Sequence, residues 1–224
     1  MPALTAVLFD LDQTLYHPSS GLLQAGDQRL TAYLARRQGL SWEAADALRR
    51  RLWRQYGTTA RGAEIELGIC QRELYEYQQL GLDPAAYLQP EPAVSAMLAT
   101  LPAELYVATN SLGLYAERVL EALGLREHFR QVLDIAVMNW RPKPDPAAYE
   151  AMVQAVGLPP QRLALVDDFA WNLPPAGALG MYTIYLGEDE EVIADLILGD
   201  LLELPAALAA GGVSWVERPT TPAR

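Results

Sequence analysis

Asp10 and Asp12 stand two positions apart, with Thr14 two further on, directly after the apolar run Ala6-Val7-Leu8-Phe9. The run reads as a buried strand, and on an extended strand residues two apart share a face. Where such a strand ends and the backbone turns, one carboxylate and one carbonyl can converge on a cation. Phosphoryl transfer through an aspartyl intermediate needs this equipment: a nucleophilic carboxylate beside Mg²⁺ and a second carboxylate to move a proton. Asp-x-Asp is also an ordinary polar turn, so the rest of the chain has to decide.

Three further segments carry polar residues of a matching kind. Tyr106-Val107-Ala108 runs into Thr109-Asn110-Ser111, just before a helical stretch from Leu112. A hydroxyl and free backbone N–H groups at a helix start make a phosphate cradle, although these residues are also common caps. In Arg141-Pro142-Lys143-Pro144-Asp145 the lysine sits between prolines on a stiff, extended loop. So held, it can stabilise a transferring phosphoryl group among carboxylates; alone it would read as a surface lysine. Leu163-Ala164-Leu165-Val166 ends in Asp167-Asp168, with Asn172 opening the next helical stretch. Adjacent carboxylates repel unless a cation is present, and an oxygen-rich site suits Mg²⁺.

The elements that position these groups follow from periodicity. Strands are expected at Thr5–Phe9, Glu104–Thr109, Val132–Ala136, Leu163–Val166, Tyr182–Leu186 and, more weakly marked, Asp195–Leu198. Leu112, Tyr115, Ala116, Val119, Leu120 and Leu123 form one apolar helix face that Gly124 ends. Asp145-Pro146 supplies a cap and a first-turn proline for a helix buried through Tyr149, Met152, Val153 and Val156 and ended by Gly157. This alternation argues an α/β fold, a parallel sheet covered on both faces. In open parallel sheets ligands bind outside the carboxyl ends of the strands, where all four segments fall.

Between Leu15 and about Pro90 no strand is expected, only helical stretches near Leu22–Arg37, Trp42–Tyr56 and Gln71–Gln79. The span far exceeds a normal connection. The chain therefore divides into a core of residues 1–15 and 91–224 and an inserted helical domain of residues 16–90. Arg36, Arg37, Arg49, Arg50, Arg51 and Arg54 gather basic charge in this insert; a solvated helix face is the favoured reading, attraction of an anionic substrate the alternative. Cys70, Trp42 and Trp53 read as packing residues, His17 as structural and His128 as a cap or surface residue. Tyr56, Thr58, Thr59 and Arg61 form a turn-like segment offering stacking, hydroxyl and guanidinium groups.

Composition narrows the partners. The 224 residues carry 51% hydrophobic and 20% charged side chains, a globular balance, with net charge -11. So acidic a protein is a poor binder of a nucleic-acid polymer, whereas a small phosphate ester can be bound where a metal reverses the local field. With one cysteine, a reducing compartment is expected. The start of the chain lacks a signal-peptide pattern and no segment could span a bilayer, so a soluble cytoplasmic protein is expected. The polar, proline-bearing end from Glu217 to Arg224 is expected to fray.

Taken in order, Asp-x-Asp-x-Thr, Thr-Asn, Lys-Pro and Asp-Asp resemble the four motifs of the haloacid dehalogenase superfamily of aspartyl phosphohydrolases. The helical insert resembles that family's C1 cap. Within the superfamily, Phe9-Asp10-Leu11-Asp12-Gln13-Thr14-Leu15-Tyr16-His17-Pro18 and Tyr56-Gly57-Thr58-Thr59-Ala60-Arg61-Gly62 look like the pyrimidine 5′-nucleotidase branch. The resemblance covers nearly the whole chain, weakening after about Pro205, and implies a Rossmann-like core. By it, Asp10 matches the nucleophile, Asp12 the general acid/base, Thr109 the phosphate-binding hydroxyl and Lys143 the stabilising lysine. Asp167 and Asp168 match the acidic metal pair, with Asp10 and the Asp12 carbonyl completing a Mg²⁺ shell. Asn110, Tyr56, Thr58, Thr59 and Arg61 are carried as substrate contacts. Pro174-Pro175 departs from the pattern, standing where ordinary helix residues are expected.

The resulting expectation is a Mg²⁺-dependent phosphomonoester hydrolase, acting on a pyrimidine nucleoside 5′-monophosphate above other esters. A phosphatase or phosphomutase for another small phosphometabolite, such as a sugar phosphate, is the alternative. A dehalogenase would not need an acid at Asp12, because a halide leaves without a proton. A phosphoacceptor signalling domain would place its acidic pair at the first strand and lack the insert.

Overall fold

The computed structural model describes residues 2–217, so the expectation of a fraying end lies almost wholly outside the described residues. A six-stranded parallel sheet forms the centre, in the order β4-β3-β2-β5-β6-β7. Its strands are β2 (Ala6–Phe9), β3 (Glu104–Ala108), β4 (Gln131–Leu133), β5 (Leu163–Asp167), β6 (Tyr182–Leu186) and β7 (Leu196–Leu198). A short parallel pair, β1 (Ala3–Leu4) with β8 (Ser214–Trp215), lies beside it. The fold is a Rossmann-like α/β fold.

β2 is buried at every position, which explains its unbroken apolar run. Its residues alternate between the two sheet faces. Val7 and Phe9 join a core built with α5 (Pro92–Thr100), α6 (Gly113–Leu123) and α9 (Leu204–Ala210). Ala6 and Leu8 join another built with α7 (Pro146–Val156) and α8 (Leu173–Leu179). β3 and β5 flank β2 on opposite sides, in register Phe9 with Val107 and Phe9 with Val166. The crevice at the carboxyl end of β2 is therefore a topological switch point, where ligands of such sheets bind.

Among the described residues, helices but no strand lie between β2 and β3. They include α1 (Leu22–Gln38), α2 (Trp42–Tyr56), α3 (Thr59–Leu67) and α4 (Gln71–Tyr75), the last running into a π-helical turn over Glu76–Leu80. Leu30, Leu34, Ala45, Leu52 and Ala60 of this insert continue the second core. Gly57 joins α2 to α3 at φ +82°, and a Cβ there would come within 3.0 Å of the Lys143 carbonyl oxygen. Only glycine meets both conditions without strain.

Helix ends follow the expected chemistry. The Asp145 carboxylate accepts the Ala147 N–H at 3.1 Å, Pro146 occupies the first turn of α7, and Gly157 ends it at φ +70°. Pro174 and Pro175 sit in the first turn of α8, where N–H groups have no intrahelical partner, so the helix accommodates both. α3 was not expected: Thr58 is its N-cap, its Oγ1 accepting the Arg61 N–H at 3.1 Å. No described helix is long and apolar enough to cross a membrane.

Candidate active site

The loop after β2 turns sharply because Gln13 adopts φ +70°, a conformation costing a non-glycine residue about 1–2 kcal/mol. Thr14 then reaches the end of β5. Its hydroxyl donates to Asp168 Oδ1 at 3.2 Å and accepts the Asp168 N–H at 3.2 Å. Two strand ends are thereby stitched together, with Asp10, Asp12, Asp167 and Asp168 on one cavity.

Lys143 enters from the loop before α7 and is 1% exposed. Its Nζ donates to Asp10 Oδ1 at 2.8 Å and to Asp167 Oδ2 at 2.6 Å. Asp167, fully buried, also accepts the Asn172 amide on both oxygens at 2.9 Å and the Phe169 N–H at 2.9 Å. Its acceptor capacity is thus largely spent on protein donors. Asp168 accepts the Thr14 hydroxyl on Oδ1 and is partly open. One oxygen from each of Asp10, Asp167 and Asp168 lies within 4.8 Å of the others, an oxygen-rich cluster fit for a hard divalent cation, with Asp10 and Asp168 the members whose oxygens are less committed to protein donors.

The electrostatics express the same crowding. Burial pushes the Asp10 carboxyl well above its ordinary range; Lys143 pulls it back, while Asp167, Asp168 and Asp12 push it up again. Burial also raises Asp168, to about 6, with Asp167 adding and Lys143 opposing. Burial alone would pull the Lys143 ammonium down, but Asp10 and Asp167 more than reverse this and hold it charged. Asp12 is raised by burial, against the hydrogen bonds of Tyr16 and Ser111 and the charge of Lys143.

Both Asp12 oxygens receive hydroxyl donors, Tyr16 Oη on Oδ1 at 2.6 Å and Ser111 Oγ on Oδ2 at 2.9 Å. Thr109, 1% exposed, lines the cavity, and its Oγ1 accepts the Ser111 N–H at 3.0 Å, so its proton is left to donate. Asn110 also borders the cavity, but its side chain is engaged with the Lys143 backbone: Nδ2 to the carbonyl at 3.0 Å, Oδ1 from the N–H at 2.7 Å.

The cavity, about 440 Å³, has one wall from the insert. Thr58 and Thr59 belong to that wall; Tyr56 and Arg61 are not among the lining residues. The Tyr56 hydroxyl accepts from Gln55 at 3.0 Å and Arg61 pairs with Glu64 at 2.7 Å. The segment is a helix start rather than a loop, and its side chains diverge accordingly. Arg49 and Arg50 also line the cavity, yet Arg49 pairs with Asp27 and Asp46, and Arg50 with Asp46.

Three expectations need correction. Trp42 and Trp53 are not core residues, being 48% and 37% exposed, and Cys70 is exposed rather than packed. The amphipathic α2 buries only Ala45 and Leu52 fully, leaving its tryptophans outside. Trp53 instead lines the cavity and meets Phe169 at 5.2 Å between ring centroids; Phe169 meets Trp171 at 5.2 Å. Phe169 carried a readable signal: an aromatic directly after an acidic strand end lies at the rim of the sheet. His17 is structural as expected, its ring accepting the Ser19 N–H at the start of a short 3-10 turn. His128 bonds Ser95 Oγ at 2.7 Å.

Comparisons with known proteins agree with this fold. Over 206 residues the chain is 30% identical to the phosphoglycolate phosphatase of Rhodospirillum rubrum, covering 85% of this chain and 83% of that protein. Among solved structures it resembles a HAD phosphatase from Thermococcus onnurineus, with TM-score 0.66, 22% identity and coverage of 92% and 98% of the two chains. It also resembles an L-2-haloacid dehalogenase from Xanthobacter autotrophicus carrying covalently bound chloropropionic acid, with TM-score 0.58, 16% identity and coverage of 93% and 99%. At those identities the two structures speak for the fold alone. The family model of the haloacid dehalogenase-like hydrolases matches residues 4–180, a span that runs from the first strand through the acidic end of β5 to α8, and the chain belongs to that family.

Proposed function

We propose that this hydrolase is a Mg²⁺-dependent phosphomonoesterase acting through an aspartyl phosphate, with a pyrimidine nucleoside 5′-monophosphate as preferred substrate. The observation that carries the chemistry is the buried Lys143 ammonium held against Asp10 at 2.8 Å at the switch point of the sheet. In this reading Asp10 attacks phosphorus and Asp12 protonates the leaving oxygen. Asp12 then takes a proton from water, which hydrolyses the aspartyl phosphate. Lys143, the Thr109 hydroxyl and nearby backbone N–H groups stabilise charge on the equatorial oxygens. Mg²⁺, when bound, would neutralise the phosphoryl group and the facing carboxylates. Asp10, Asp168 and the Asp12 carbonyl would hold it; Asp167, occupied by Lys143 and Asn172, would serve by positioning the lysine.

The helical insert, residues 16–90, acts in this reading as a cap that brings selectivity to a general phosphoryl site. The substrate assignment is supported by cavity size and lining. About 440 Å³ falls within the roughly 300–1,000 Å³ of sites for drug-sized ligands. Trp53 and Phe169 offer an aromatic face, and Thr58 and Thr59 line the wall, the Thr59 hydroxyl donating to the Arg49 carbonyl. Exposed Cys70, unpaired, fits a reducing, cytoplasmic setting.

The Rhodospirillum rubrum relative favours a second reading, a small phosphorylated acid such as phosphoglycolate. Its carboxylate, beside the phosphate, would call for a second cation, yet Arg49 and Arg50 are already paired with Asp27 and Asp46. Phosphate release from UMP, CMP, AMP, phosphoglycolate and 4-nitrophenyl phosphate, with Mg²⁺ or with chelator, separates the readings. UMP or CMP should lead, and chelator should abolish release. Phosphoglycolate in the lead overturns the substrate assignment; full release in chelator overturns the metal; release from no ester overturns the phosphatase.

A further inference from the structure

Gln79 is a buried cap glutamine, 5% exposed, whose amide is used at both ends on the core. Its Nε2 donates to Ser111 Oγ at 2.9 Å, and its Oε1 accepts the Leu112 N–H at 2.9 Å. The two contacts agree on one amide orientation, since a flipped amide would face N–H with N–H. Leu112 is the N-cap of α6, so Gln79 docks on the start of a core helix. Ser111 in turn donates to Asp12 Oδ2 at 2.9 Å.

We propose that Gln79 is a positioning residue that couples closure of the helical cap to the aim of Asp12, acting through Ser111. A serine hydroxyl has one proton. With the Gln79 N–H on its oxygen, that proton is committed to Asp12. Together with Tyr16 on Oδ1, it fixes the Asp12 carboxyl from both sides. When the cap opens, Gln79 withdraws, Ser111 is free to rotate, and Asp12 loses one of its two guides. The acid is therefore set when the cap is shut. Gln79 lies in the π-helical turn Glu76–Leu80, a rare geometry found often at functional sites. The proposal rests on the reading of Asp12 as general acid.

The test compares kcat on UMP, whose alkoxide leaving group needs a proton, with kcat on 4-nitrophenyl phosphate, whose leaving group scarcely does. Gln79→Met keeps side-chain length and removes both hydrogen bonds. It should lower kcat about 30-fold on UMP but only about threefold on the aryl ester, with KM little changed. In an Asp12→Asn background it should cost nothing further on UMP. Equal losses on both esters, a loss confined to KM, or an additive loss in the double variant overturns the proposal. Asp12→Asn alone separates the underlying reading: equal losses there overturn the acid role and the proposal with it. If Gln79→Met fails to fold, Ser111→Ala cuts the same chain from the core side and should show the same asymmetry, and its absence overturns the proposal equally.

Discussion

The Asn110 side chain clasps the Lys143 backbone at both hydrogen-bonding groups, donating to its carbonyl at 3.0 Å and accepting its N–H at 2.7 Å. The loop that carries the buried ammonium is thus tied to the end of β3, beside Thr109. Asn110→Ala should lower kcat in parallel on all esters, because every substrate meets the same lysine. Losing the partners of this clasp should also cost about 1–3 kcal/mol of stability. Steady-state kinetics on two unlike esters, with thermal unfolding alongside, check this. A rise in KM for one ester only would mark Asn110 as a direct substrate contact.

Among the described residues, Lys143 is the one cation placed between Asp10 and Asp167. Lys143→Met leaves those buried carboxylates without it, a change of the kind that costs about 3–5 kcal/mol. The penalty should be largest in chelator at neutral pH. It should shrink as pH falls, since removing Lys143 lets Asp10 and Asp168 rise further and take up protons. Urea titrations of the metal-free variant and parent at pH 7.5 and 5 measure it. A penalty that grows toward pH 5 would contradict the charge assignment.

Burial pushes the Asp168 carboxyl up to about 6 in the folded protein, against an ordinary 3.8. Between those values the folded state holds more protons than the unfolded, so stability conferred by this group rises as pH falls through 6 and levels off below about 4. Above 6 the ionised carboxylate is a cost that a bound cation offsets. The Tm increment from Mg²⁺ should therefore be full at pH 7.5 and fade below pH 6. Asp168→Asn should abolish most of it, Asp167→Asn less. An increment independent of pH from 5 to 7.5 would refute Asp168 as the titrating ligand.

The sheet was legible because its strands are short apolar runs buried on both faces, with β2 as the clearest case. The ends of β2, β3 and β5 were legible because polar residues there interrupt such runs. β4 was read too long: Asp134 leaves the strand to accept the Gly113 and Val137 N–H groups. α3 was missed because Thr58 and Thr59 resemble a turn, and the helix buries mostly small residues, Ala60, Gly62 and Ala63. The Trp53–Phe169 contact and the Gln79–Ser111 bond join insert to core. No periodicity within either segment encodes such pairings. They depend on how the insert lies on the sheet, which only the folded chain shows.

Trp53 and Phe169 place two aromatic faces on the cavity, one from the insert and one from the end of β5. Tyr56 and Arg61, in contrast, are engaged with Gln55 and Glu64. If the substrate is a nucleotide, as proposed, base selectivity should therefore follow the first pair. Stacking of a base on an aromatic side chain is worth about 1–3 kcal/mol, so Trp53→Ala should lower kcat/KM on UMP roughly tenfold to a hundredfold. Phosphoglycolate or acetyl phosphate, with no ring to stack, should lose far less. Trp53 is 37% exposed, so its truncation should leave Tm nearly unchanged. Tyr56→Ala and Arg61→Ala should alter both classes of substrate alike. Equal losses on UMP and acetyl phosphate in Trp53→Ala, or a selective loss in Arg61→Ala, would move the base contact away from the aromatic pair and back to the start of α3.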